Sequence, residues 1–403
     1  MSPDRTGIPD TIAWARPEDV GMSRERLGRI GDVLEADIGR GLLPGAVALV
    51  ARRGRIVHFK AYGRRDPAVD DPMALDTIFR IYSMTKPIVS VAAMMLVEEG
   101  RLGLADPLSA YIPAFGSVKV AEVADGRVVG LVAPRRPITI QDLLRHTSGL
   151  TYEWLDEGPV GRLYGEAGLG RRHATNAEQA ETVAGLPLVC QPGERWEYSR
   201  STDVLGRVIE VVTGQALGPH LDAALLEPLG MMETGFHVPD AFHGRIAEPH
   251  PTDPETGEPV HLLDLRKVSA FESGGGGLAS TAGDYARFLH MIASGGTLDG
   301  ARLLSPATLA FLMSDHLAPE VEVNSDLLPP GYGFGLGFAV RRARGLSPFP
   351  GSIGDAYWEG LAGTTFWIDP AEQLYALLMI QAPDRREHSR RALRQLVYGA
   401  VTE

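Results

Sequence analysis

Ser83-Met84-Thr85-Lys86-Pro87-Ile88-Val89-Ser90-Val91-Ala92-Ala93-Met94-Met95-Leu96-Val97-Glu98-Glu99-Gly100 reads as a short polar opening followed by a segment apolar on nearly every side. The spacing predicts a helix over Pro87 to Glu99, with proline in its first turn and Gly100 as its stop. A helix apolar all round is a buried helix. Residues three apart share a helix face, so Lys86 Nζ can reach Ser83 Oγ. A serine hydroxyl is a poor nucleophile until a base takes its proton. Lysine can be that base where apolar surroundings and neighbouring positive charge hold it neutral. Amides at the helix start also face Ser83 and offer partial positive charge to a forming oxyanion. The chain has four lysines and nineteen serines, so composition alone supplies about 0.2 chance Ser-x-x-Lys matches. A serine N-cap beside a surface lysine is the bland alternative. The motif therefore needs partners elsewhere in the chain.

Outward from this helix, the two ends of the chain carry matching strand signals. Glu25 to Ile38 has helical spacing, and the runs Ala46–Ala51 and Ile56–Gly63 form a hairpin around Arg52-Arg53-Gly54-Arg55. Near the other end stand Thr364–Ile368 and Leu374–Ile380, then a helical tail from Arg385 to Tyr398. One antiparallel sheet assembled from both termini and flanked by terminal helices is expected. Between them the pattern is mostly helix and loop: Ile140–Arg145, Thr202–Val212 ending at Gly214, Ala216–Leu226, and Tyr285–Ile292 opened by a capping box at Thr281–Asp284. The expected architecture is an α/β (α+β) layer from residues 1–80 and 270–403, with a mostly helical part, 81–269, inserted into it and the active site at their interface.

Composition narrows the function. The chain has 403 residues, 44% hydrophobic and 22% charged, values that exclude a disordered or collagen-like chain. Its net charge of −12 repels phosphate backbones, and the short basic runs at Arg341–Arg344 and Arg385–Arg394 lack interleaved aromatics. No nucleic-acid partner is expected. Cys190 is the only cysteine, which excludes an intrachain disulfide and a multi-thiolate zinc site. The opening MSPDRTGIPDTIAWARPEDV carries no apolar core of signal-peptide length, and Ile88–Val97 is too short to span a bilayer. These readings lead to the expectation of a soluble cytoplasmic protein with no membrane partner.

Two further segments supply partners for the serine. Tyr198, in Pro192-Gly193-Glu194-Arg195-Trp196-Glu197-Tyr198-Ser199-Arg200, lies on a loop before a helix and can point its hydroxyl into a cleft. A lysine ammonium nearby would lower its pKa and let it relay the serine proton. Tyr357-Trp358-Glu359-Gly360-Leu361-Ala362-Gly363 leads into a strand, and its small residues let a substrate approach a backbone N–H that could complete an oxyanion hole with the Ser83 N–H.

Ser83-x-x-Lys86, Tyr198-Ser199 and the Trp358-Glu359-Gly360 block resemble, in order, the serine β-lactamase/penicillin-binding superfamily. The match is nearest to the family VIII carboxylesterases, relatives of class C β-lactamases. His146-Thr147-Ser148-Gly149-Leu150, Pro192-Gly193, Gly274–Ser280 and Tyr332–Gly337 extend the likeness from about residue 20 to 400. The resemblance implies that Ser83 is acylated, that Lys86 and Tyr198 share general-base and general-acid work, and that the N–H groups of Ser83 and Leu361 form the oxyanion hole. It implies substrate contact by Trp358, Glu359, Gly360 and Arg200. Two departures bear on specificity. Trp358 stands where β-lactamases of this class carry the lysine that anchors a β-lactam carboxylate, and Glu359 adds negative charge beside it. Arg200 replaces the asparagine of Tyr-x-Asn and could itself bind a carboxylate.

Competing signals are weaker. Gly274–Ala279 satisfies Gly-x-Gly-x-x-Ala, but Val268–Ser273 is a poor strand for a dinucleotide fold. No Gly-x-Ser-x-Gly occurs. His146 with Asp142 suggests a Ser-His-Asp triad, against which the resemblance makes the phrase a structural turn. His237, His243, His250 and His261 lack ligand spacing, so no metal is expected. Trp154, Trp196 and Trp367 read as wall or core. The reading is a serine carboxylesterase acting on small to medium esters, short acyl chains preferred on the family's account, without a cofactor. The alternatives are a β-lactamase, D-amino peptidase or acyltransferase of the same superfamily, and a catalytically silent binding homologue.

Overall fold

The computed structural model describes residues 12–403 except 70 and 324; most of the opening read for a leader, residues 1–11, lies outside them. Among the described residues, both ends of the chain meet in one eight-stranded sheet. The N-terminal strands are β1 (Gly45–Arg52), β2 (Arg55–Asp66) and β3 (Asp71–Pro72). A separate pair joins β4 (Ile78–Arg80) to β5 (Ala279–Thr281). The C-terminal strands are β6 (Tyr332–Phe334), β7 (Ala339–Arg341), β8 (Ala356–Glu359), β9 (Thr365–Asp369) and β10 (Leu374–Ile380). Their order is β6-β7-β8-β9-β10-β1-β2-β3, every neighbour antiparallel. The seam between the two ends is β1 against β10, in register from Ala46↔Ile380 to Arg52↔Leu374. Both strands are wholly buried and, apart from Arg52 at the end of β1, which pairs with Glu372 at 2.8 Å, apolar, as strands covered on two faces are.

Helices α1 (Arg24–Gly39) and the C-terminal Arg386–Gly399 pack together, tied by an Arg385–Asp37 ion pair at 3.2 Å. Helix α2 (Thr85–Glu98) is buried over most of its length, in agreement with its apolar sequence. It begins two residues earlier than Pro87, because the turn Tyr82–Met84 leads straight into it. Proline then sits third, still among the four positions whose N–H has no helical partner. Helices α3 (Ile140–Leu144), α4 (Ser201–Thr213), α5 (Leu217–Leu221) and α6 (Ala282–Ala293) follow the expected segments. The segment Ala216–Leu226 is not one uniform helix: it widens into a π-turn over Asp222–Leu226. Thr281 caps α6 by accepting from the Asp284 N–H at 3.1 Å. A further helix, Pro159–Glu166, has a weak helical signal in the sequence because Gly161 and Gly165 lie within it.

Candidate active site

Ser83 occupies the middle of the tight turn between β4 and α2, and its neighbours are tied down one by one. Tyr82 holds φ at +43°, a conformation uncommon for a bulky side chain, while its hydroxyl accepts the Leu263 N–H at 2.8 Å. The Met84 carbonyl accepts from the Tyr285 hydroxyl at 3.0 Å, and Thr85 Oγ1 accepts from the Leu278 N–H at 3.1 Å. The turn therefore presents Ser83, half-buried, to a cleft of about 300 Å3.

Lys86 points back along the helix to that serine. Its Nζ lies 3.3 Å from Ser83 Oγ, 3.2 Å from Tyr152 Oη and 2.6 Å from the carbonyl oxygen of Gly275, to which it donates. The lysine is 1% exposed. Burial lowers its pKa to about 7; Asp203 opposes the shift and Arg200 adds to it. Gly275 is glycine for a spatial reason: a Cβ there would meet the Asp203 carboxylate and Tyr152 Oη at 2.9 Å. Asp203 in turn accepts from the Gly275 N–H at 2.9 Å and from Ser273 Oγ at 2.6 Å. The Gly274–Gly277 stretch is thus a floor that holds the lysine, with no strand before it.

Tyr198 shares the cleft, with Lys86 Nζ 4.5 Å above the centre of its ring. Its hydroxyl is buried and makes no bond of full hydrogen-bond geometry, with Ser83 and Trp358 standing beside it. The lowered phenol pKa expected from a nearby ammonium is not found. Burial pushes it up, and Ser83 and Trp358 offset this only in part. The lysine sits over the ring face rather than at the oxygen, and its own charge is weakly held.

Trp358, Glu359, Gly360, Leu361 and Arg200 all line the cleft, but two of the charges expected there are neutralised. Glu359 is paired with Arg390, so it presents no free anion against an anionic substrate. Arg200 is held by Glu153, whose two oxygens lie 2.7 and 2.8 Å from one guanidinium nitrogen, and it stacks over the Tyr152 ring at 5.3 Å. Arg200 thus lines the cleft as one half of an ion pair with Glu153 and not as a free cation.

Tyr152 is the functional neighbour that the sequence reading missed. It lies six residues beyond His146, in a stretch that no motif marks. Nothing about its spacing from Lys86 shows that the two touch across 66 positions. Burial holds its phenol well above the ordinary range. Trp154 stacks on it at 5.1 Å as an exposed wall, while Trp196 and Trp367 are core. His146 is buried beneath Tyr198, ring centres 4.9 Å apart, and pairs with Ser199 Oγ at 3.3 Å. Asp142 bonds to Arg136, Arg145, Thr139 and Thr147, which leaves no Asp-His relay. Among the described residues, no group of three or more His, Cys, Asp or Glu side chains could hold a metal ion.

A profile of the beta-lactamase family matches residues 30–400. Protein Rv1367c of Mycobacterium tuberculosis is 38% identical over 354 residues, 85% of this chain and 87% of that protein. Esterase EstB of Burkholderia gladioli is 34% identical over 377 residues, 87% and 89% of the two chains. The solved structure of EstCE1, a hydrolase with promiscuous acyltransferase activity, superposes with a TM-score of 0.78 at 29% identity, covering 93% of this chain and 99% of that one. A serine and a buried lysine joined across one helical turn thus stand in a chain that belongs to the beta-lactamase family and, within its serine hydrolase superfamily, to the family VIII esterases.

Proposed function

We propose that the chain is a carboxylesterase that works through an acyl-enzyme on Ser83. The observation that carries this is the buried Lys86 amine, its pKa brought to about 7, at 3.3 Å from Ser83 Oγ. Near neutral pH much of it is unprotonated and can take the serine proton as Oγ bonds to the ester carbonyl carbon. The tetrahedral oxyanion would accept from the N–H groups of Ser83 and Leu361; among the described residues no turn or loop bond uses either. Collapse breaks the bond to the alcohol oxygen. Lys86 returns the serine proton to that oxygen, and Tyr198, which burial keeps protonated beside Ser83, shares the acid work by donating a hydrogen bond to it. Water then repeats the sequence on the acyl group, and Ser83 is restored.

Trp358 favours neutral esters over carboxylate-bearing β-lactams, because an indole offers no anchoring cation. The cleft volume of about 300 Å3 supports small to medium substrates. A second reading, acyl transfer to an alcohol instead of water, is favoured by the likeness to EstCE1. It differs only in which hydroxyl enters the second half-reaction.

The test compares p-nitrophenyl butyrate with a chromogenic cephalosporin and locates, by mass spectrometry, the residue a fluorophosphonate labels. Label on Ser83, faster butyrate turnover and a loss of roughly a hundredfold or more in Ser83→Ala are expected. Faster cephalosporin turnover would instead favour a β-lactamase, and ester turnover unchanged in Ser83→Ala would favour a silent binding homologue. An added alcohol that diverts the butyryl group into a new ester would establish the transferase reading.

A further inference from the structure

Phe236 borders two cavities at once. One is the Ser83 cleft; the other, of about 330 Å3, lies outside the proposed chemistry. Two glycines make room for its ring. A Cβ on Gly277, which lines the Ser83 cleft, would meet Phe236 Cδ1 at 2.8 Å and Cε1 at 3.0 Å. A Cβ on Gly218, which lines the second cavity, would meet Cδ2, on the ring's other edge, at 3.3 Å. The ring is thus wedged between a residue of one cavity and a residue of the other.

The second cavity suits an uncharged chain. Leu221, Leu226, Met231, Val238 and Leu278 contribute its apolar wall. Asp222, Glu227 and Glu272 also line it and disfavour an anionic tail, while the Glu233 carboxylate is paired with Arg245. We propose that Phe236 is the partition that limits the length of the ester, and that the cavity behind it accepts the end of a longer alkyl chain once the ring is removed. The inference rests on the esterase reading and adds to it a residue that determines specificity.

The experiment measures kcat/KM for p-nitrophenyl butyrate and octanoate, and for butyl and octyl butyrate, so that both arms of the ester are lengthened in turn. Wild type, Phe236→Leu and Phe236→Ala are compared, with Leu327→Ala as an enlargement of the Ser83 cleft away from the second cavity. Expected is a rise in the long-to-short ratio of at least about tenfold for one arm in Phe236→Ala, the order that a misfit methylene produces in an apolar pocket, and a smaller rise in Phe236→Leu. Flat ratios for both arms in both variants overturn the proposal, as does an equal rise in Leu327→Ala. Should Phe236→Ala not fold, Phe236→Leu decides alone, a flat ratio counting against. A wild-type chain that cleaves none of the esters overturns the esterase reading and this inference together, whereas a cleaving wild type with unmoved ratios removes this inference only.

Discussion

In the mechanism we propose, Lys86 can act as base because its environment sets its protonation. Below about pH 7 the amine holds its proton and cannot accept another, so kcat/KM should rise with pH through about 7 and level off above. Asp203 opposes the lowering of that pKa, so Asp203→Asn, which keeps an oxygen for the Gly275 N–H, should move the rising limb to lower pH. A profile flat from pH 5 to 9, or a limb displaced upward, would contradict the assignment. Tyr152 touches the same amine at 3.2 Å and serves as a positioning residue. Tyr152→Phe should lower kcat about tenfold, less than the 10²–10⁴ of an acid or base removed outright, with KM little changed because the ring remains. The serine and lysine could be named from their local spacing, and Tyr198 from the family resemblance. Tyr152 could not, because its contact spans a gap that no local pattern records. Nor could the pairing of Glu359 with Arg390 and of Arg200 with Glu153, which removed two charges from the specificity argument.

At the scale of elements, the junction of β4 and α2 is held by contacts from distant segments. Tyr285, on α6, is fully buried and donates to the Met84 carbonyl beside the serine. Tyr285→Phe removes a second, buried bond to a carbonyl that also accepts the first bond of α2, and should destabilise the fold by about 0.5–1.5 kcal/mol, read as a shift in the urea midpoint. A larger fall in activity than in stability would show that the bond also aims Ser83. Helices α1, α2, α4 and α6 were legible because their apolar spacing and end signals agree. The hairpin Val120–Ala124 with Arg127–Val132 escaped notice: Val123, Val129 and Leu131 are exposed, so no buried face imposes a clear alternation. The π-turn after α5 escaped for another reason, since no residue type distinguishes it from ordinary helix.

For the whole molecule, the C-terminal helix is fastened to the sheet through a buried charge cluster. Asp355 is wholly buried and meets Arg341 at 2.6 Å, Arg394 at 2.6 Å and the Tyr332 hydroxyl at 2.8 Å. Removing the anion strands two buried guanidinium groups, so Asp355→Asn should cost about 3–5 kcal/mol, measured by chemical denaturation. A loss under about 1 kcal/mol would show that the arginines find other partners. A division into residues 1–80 with 270–403 around an inserted 81–269 remains our proposal for the units of the fold, and it places the Ser83 turn at their boundary. The net charge of −12 accompanies a cleft lined by several aromatic side chains, with Arg172 and Arg386 also on its wall beside the paired Arg200 and Glu359.

By itself, the sequence determined that Ser83 and Lys86 meet across one helical turn and that both chain ends join in one sheet. Each rests on short-range spacing or on apolar runs that only a buried strand or helix can satisfy. Only the tertiary structure decided how burial lowers the lysine's pKa, which phenol touches it and which cleft charges are already paired. Those outcomes depend on burial and on contacts between residues far apart in the chain, and neither is written in local order.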